Sequence, residues 1–196
     1  MAAPPPDKNA VIGYRPAVKA DARRIAELYS IASDGISDYI WSKQAGANDN
    51  LLDVGQKRYE RRNTAFSYEN CLVAEAAGKV VAVMLTYEMQ EDDYVETDPV
   101  LKPFWLLEEV NSFYIAGIAV DTEWRQRGIA RTLMQMAEDK CRDKGLTRLS
   151  LIVLENNTIA YELYKRLGYR EVMRKTIVPH PLIHYTGDAL LMVKFL

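Results

Sequence analysis

Histidine and cysteine are scarce, two of each in 196 residues, and their scarcity removes several chemistries at once. Cys71 and Cys141 are too few for a disulfide scaffold and too far apart for a metal motif, so both read as buried thiols and no metal is expected. The histidines, His180 and His184, share one Pro-containing stretch and read as surface loop residues. Long apolar runs are missing too: the strongest, residues 80–85, falls far short of the ~20 residues of a membrane span. Residues 1–10 are rich in proline and lack the apolar centre of a signal peptide, so they read as a mobile tail on a cytoplasmic protein with no membrane partner. A net charge of −2 argues against a nucleic-acid partner held by broad phosphate neutralisation. What remains is one ordinary domain over residues 11–196, with enough apolar content (48%) for a full core.

The pattern along that domain is α/β. Ile25, Leu28, Tyr29 and Ala32 fall on one helical face, with Asp21 placed to cap or favour the first turn. Residues 36–43 and 54–63 are further helical stretches, separated by a polar loop at 46–50. Residues 72–76 and 80–87 flank Ala77-Gly78-Lys79 as a hairpin. A long acidic connection follows at 89–109, carrying Glu91, Asp92, Asp93, Glu96 and Asp98. Residues 114–120 and 148–154 are almost continuously apolar, as strands covered on both faces are. Between them the helix over 130–144 buries Ala130, Leu133, Met134, Ala137 and Cys141 and leaves Glu138, Asp139, Arg142 and Asp143 in water. Residues 169–178 and 189–196 read as two closing strands.

The most informative stretch is Arg125-Gln126-Arg127-Gly128-Ile129-Ala130, where a strand empties into a basic turn and then a helix. Unpaired backbone N–H groups and the positive end of a helix dipole gather there, which suits phosphate. The spacing fits neither a P-loop nor a dinucleotide fingerprint. In R-x-x-G-x-A, Gly128 permits positive φ and a close approach of the backbone, and Ala130 leaves room for a ligand. Arg125, Arg127 and Arg131 add charge.

Downstream, Gly145 is a helix stop, and Asn157-x-x-Ala160-x-x-Leu163-Tyr164-x-x-Leu167-Gly168-Tyr169 follows the strand at 148–154. These parts in this order resemble the GCN5-related N-acetyltransferases, which join a Q/R-x-x-G-x-G/A turn to an N-x-x-A-x-x-L-Y-x-x-L-G-F/Y helix. Upstream, Tyr14-Arg15-Pro16-Ala17 and the face around Ile25 and Leu28 are similar to the family's opening strand and helix. The resemblance implies a mixed, mostly antiparallel sheet splayed at its centre and flanked by helices. It implies acetyl-CoA as co-substrate, its diphosphate on the N–H groups of Gln126, Arg127, Gly128, Ile129, Ala130 and Arg131 beside Arg125. The pantetheine arm would run along Ile118, Ala119 and Val120, with an oxyanion donor near Ala119 or Val120. Asn157 would help hold coenzyme A, and Tyr164 would bind it and serve the departing thiolate. Where some members carry a glutamate six residues before the strand's final aliphatic residue, this chain has Tyr114, so Glu108 and Glu109 are the candidate bases. Neither cysteine lies in the motifs, which implies direct attack in a ternary complex.

The acceptor is an amine-bearing small molecule or a protein amino group. The acidic run 91–98 favours a cationic amine, whereas Lys57, Arg58, Arg61 and Arg62 favour an anionic substrate. The closing strands loosely resemble those of ribosomal-protein alanine acetyltransferases. A homodimer is compatible with all of this. The competing readings are a non-catalytic acyl-CoA-binding module of the same fold and a site for another nucleotide.

Overall fold

The computed structural model describes residues 10–91 and 93–196; most of the N-terminal tail and Asp92 lie outside them. Packing groups the chain into two compact units, one of Ile118–Gln135 with the described residues up to Leu85, the other of Thr86–Gly117 and Met136–Leu196. The unit boundaries fall inside two strands and one helix.

In the first unit, β1 (Ile12–Pro16), β2 (Cys71–Ala76) and β3 (Lys79–Met89) form an antiparallel run. The β2–β3 turn places Ala77 and Gly78 at φ 49° and 71°, the two left-handed positions of a tight hairpin. Three helices join β1 to β2: α1 (Ala22–Ala32), α2 (Ile36–Ser42) and α3 (Leu51–Glu60). Ile25, Ala26, Leu28 and Tyr29 bury the expected face of α1, while Ala32 at its end is exposed. Asp21 does not cap α1 through its side chain. Its backbone is already helical, so the carboxylate turns back to accept from Val18 N at 2.8 Å and pairs with Arg15 at 2.7 Å. Burial works to raise the Asp21 carboxyl, but the hydrogen bonds from Arg15 and Val18 outweigh it and hold it below the usual range. Helices α2 and α3 meet closely: a Cβ on Gly55 would stand 2.7 Å from the buried Trp41 ring.

The second unit contains the parallel pair of the sheet. Strand β4 (Ser112–Val120) aligns with β5 (Arg148–Leu154) from Phe113↔Leu149 to Ile115↔Leu151. At the start of the pair the Ser112 and Ser150 hydroxyls meet at 2.6 Å. Strand β5 also pairs antiparallel along its whole length with β7 (Asp188–Phe195), which in turn pairs with β6 (Arg170–Thr176). The hydrogen-bonded order is β1-β2-β3-β4-β5-β7-β6, an open and mostly antiparallel sheet. Among its described residues the connection 89–111 holds one short helix, α4 (Lys102–Trp105).

Helix α5 (Ile129–Asp143) follows β4 and departs from expectation at two positions. Ile129 is buried where Ala130 is only half-buried, and Glu138 is 5% exposed rather than solvated. Lys194 from β7 and Arg142 one turn along neutralise Glu138, which is what permits a carboxylate inside. Both cysteines are buried, and no helix among the described residues is long and apolar enough to cross a membrane.

Candidate functional site

Strand β4 changes character along its length. Ser112, Phe113, Tyr114 and Ile115 are buried, but Ala116, Gly117, Ile118 and Val120 are half-buried, with Ala119 alone covered. The strand ends where Asp121 N donates to Val81 O of β3 at 2.9 Å. A short 3-10 turn, Thr122–Trp124, follows, its first N–H groups met by Asp121: Oδ1 accepts from Glu123 N at 3.3 Å and the carbonyl from Trp124 N at 2.8 Å.

The basic turn sits between this 3-10 turn and α5. Gln126 and Gly128 both lie in the left-handed region, at φ 62° and 78°. Glycine adopts that conformation freely, whereas Gln126 is held there at a cost of about 1–2 kcal/mol, the kind of local strain found at functional turns. Thr132 N donates to Gly128 O at 3.0 Å, the first bond of α5, so Gly128 is the N-cap residue and Ile129, Ala130 and Arg131 form the first turn. N–H groups at such positions have no carbonyl acceptor within their own helix, and the helix dipole adds positive potential. A Cβ on Gly128 would meet nothing within 4 Å, so the space over the turn is open. Among the arginines, Arg125 Nε donates to Val120 O at 3.2 Å, Arg127 lies 4.5 Å over the Trp124 ring, and Arg131 is exposed. An anion is the ligand that this combination of amides, dipole and cations suits.

The remaining predicted residues belong to the second unit. Asn157 caps α6 (Thr158–Arg166) by accepting from Ala160 N at 3.3 Å, which leaves its amide N–H₂ unused by the cap. Tyr164 is half-buried on that helix, its ring 6.0 Å from that of Tyr169. Burial pushes the Tyr164 phenol up to about 12, so it stays protonated throughout the neutral range. Tyr169 is 2% exposed, and its hydroxyl is buried without a hydrogen-bond partner among the described residues.

The two candidate bases differ. Glu109 is bound by Arg148 at 2.8 Å, while Glu108 is exposed. Tyr114 is buried edge-on against Tyr87, with ring centres 5.5 Å apart, and burial pushes its phenol well up. His180 Nδ1 accepts from Leu182 N at 3.2 Å and His184 is exposed, as loop residues. Part of the acidic run serves its own backbone: Asp98 accepts from Val100 N at 2.8 Å and Glu96 from Asp98 N at 2.9 Å. In the basic cluster, Arg58 covers the Phe66 ring at 4.4 Å and Arg62 pairs with Glu69 at 2.8 Å. Sequence reasoning missed Arg24 of α1, whose guanidinium pairs with Asp121 at the mouth of the turn. A partner 97 residues away leaves no local signal.

Known proteins resemble this chain in sequence and in fold. The [ribosomal protein bS18]-alanine N-acetyltransferase of Salmonella typhimurium is 33% identical over 88 residues, 44% of this chain and 56% of that protein. The chain spans about half the length of the curated relatives it matches. Among solved structures, a ribosomal-protein-alanine N-acetyltransferase from Brucella melitensis superposes with TM-score 0.64 at 21% identity, over 94% of this chain and 99% of that one. A chain of the NatC complex bound to Gag peptide and CoA gives 0.57 at 18%, over 94% and 98%. A model of the acetyltransferase (GNAT) family matches residues 37–169, a range that takes in the Gly128 turn and the Asn157-capped helix. With the strand, turn and helices in the order that the motifs require, the chain belongs to the acetyltransferase (GNAT) family.

Proposed function

We propose that the protein transfers an acetyl group from acetyl-CoA to a primary amine by direct attack in a ternary complex. The observation that carries this reading is the Gly128 turn, with its two left-handed residues, open space and fresh helix N-terminus directly after β4. In the proposal, the N–H groups of residues 126–131 and the side chain of Arg125 hold the diphosphate. The half-buried end of β4, Ile118 to Val120, offers backbone groups to the amide-bearing arm, and an N–H near Ala119 or Val120 stabilises the oxyanion. One such preorganised donor typically contributes about 2.7–4 kcal/mol.

The amine nitrogen attacks the thioester carbonyl, the C–S bond breaks, and the thiolate leaves. Tyr164 is assigned as hydrogen-bond donor to that thiolate. With the phenol near 12 and a thiol near ~8.5, complete proton transfer is uphill by about 5 kcal/mol, so the role is charge stabilisation and the proton comes finally from solvent. The attacking amine must first lose its proton, a cost of roughly 4.6 kcal/mol at pH 7 for an alkyl ammonium. Glu108 and Glu109 are the candidate bases, Glu109 with its carboxylate paired to Arg148 at 2.8 Å. A protein N-terminal amine is the acceptor class favoured by the names of the relatives.

The second reading, a module that binds acyl-CoA without transferring the acyl group, draws on Tyr114, an aromatic in place of an acid on β4. Acetyl-CoA consumption across a panel of amines and N-terminal peptides, with Tyr164→Phe as control, separates the two. Turnover that falls by about 10²-fold in the variant supports the enzyme. Tight coenzyme A binding with no turnover on any acceptor refutes it.

A further inference from the structure

The turn is held in place by a residue that belongs to neither motif. Arg24 of α1 directs its guanidinium to three acceptors: Nε to Val80 O of β3 at 3.0 Å, Nη1 to Glu27 at 3.1 Å, and Nη2 to Asp121 Oδ2. Asp121 is fixed on its other sides as well, through its N–H to Val81 O, through Oδ1 to Glu123 N and through its carbonyl to Trp124 N. One planar fork thus ties helix, strand and turn together, a task a lysine's single ammonium performs less well.

We propose that Arg24 is a positioning residue for the ligand turn: it neutralises Asp121 and fixes the end of β4, so that the turn accepts a diphosphate instead of repelling it. This rests on the acyl-CoA reading of the turn. Two observations separate the role from ordinary stabilisation. The side chains of the pair are 33% and 26% exposed, so water and salt still reach the two charges and a charge effect on the turn responds to ionic strength. Asparagine would serve the Glu123 N–H as well as aspartate does, so the cap itself does not call for the charge that Arg24 cancels. Asp121 and Glu123 precede Arg125, Arg127 and Arg131 within a few residues, so the sign of the potential over the turn depends on which acids are neutralised.

The test is calorimetric titration of the full chain with coenzyme A at 20 mM and 500 mM salt. Arg24→Met is expected to weaken binding about tenfold at low salt, with most of the difference lost at high salt as the Debye length shrinks. Asp121→Asn is expected to tighten it roughly threefold at low salt, and Arg24→Met/Asp121→Asn to return it to within about twofold of wild type. A merely structural role would leave the double variant as weak as Arg24→Met and the difference insensitive to salt; either result overturns the proposal. Should Arg24→Met fail to fold, Asp121→Asn carries the test alone, and weaker binding there refutes it. Unchanged affinity in Arg24→Met beside a binding wild type overturns this inference only. A wild type that does not bind coenzyme A overturns the acyl-CoA reading itself.

Discussion

Replacing Gly128 separates the demands of the backbone from those of the ligand. At φ 78° a residue with a Cβ is strained, and alanine there costs about 1–2 kcal/mol. Nothing lies within 4 Å of the added atom, so no clash enlarges that cost. For a chain of this size, about 1 kcal/mol lowers the melting temperature by roughly 2–4 °C. Asparagine and aspartate tolerate the left-handed region better and have nearly the same shape, so comparing Gly128→Asn with Gly128→Asp isolates charge. A carboxylate about 5 Å from a diphosphate carrying two charges, in water-like surroundings, opposes binding by about 1.7 kcal/mol, roughly a 15- to 20-fold change in Kd. Titration with coenzyme A should therefore rank the affinities wild type, then Asn, then Asp, with that gap between the last two, while both variants melt within a few degrees of wild type. Equal affinities for Asn and Asp would refute a diphosphate at Gly128, whatever the effect on stability.

Burial raises the phenols of Tyr59, Tyr114, Tyr164 and Tyr169. The unfolded chain releases these protons near pH 10 and the folded chain only above it, so stability should hold up to about pH 10 and fall steeply beyond. Denaturant melts followed from pH 8 to 11.5 check this, and a midpoint that does not drop above pH 10 contradicts it. Gly55→Ala forces a methyl against the Trp41 ring and should destabilise by about 1–3 kcal/mol despite alanine's better helix propensity; an unchanged melting temperature would show that the contact yields freely. Tyr169→Phe removes a buried hydroxyl without a partner and should stabilise by about 1 kcal/mol in urea unfolding, whereas a loss would mean that the hydroxyl is bonded.

Much of the fold is written locally in the chain. The periodicity that marks α1, the hairpin glycine, the apolar runs of β4 and β5, the turn at Gly128 and the Asn157 cap all depend on residues a few positions apart. Backbone sterics, capping and alternation act over that range, so each feature is legible before the chain folds. The charges were not legible in this way. Glu138 has the sequence context of a solvated helix residue, yet Lys194, 56 positions on, makes it a buried one. Asp21 reads as a helix cap until Arg15 and Val18 N claim it, and the pairing of Glu109 with Arg148 has no local signal. Arg24 has no motif at all and gains its meaning from Asp121. A carboxylate's solvation and basicity are set by whichever cation the folded chain brings within a few ångströms, and no spacing rule encodes a partner that arrives from another strand or helix.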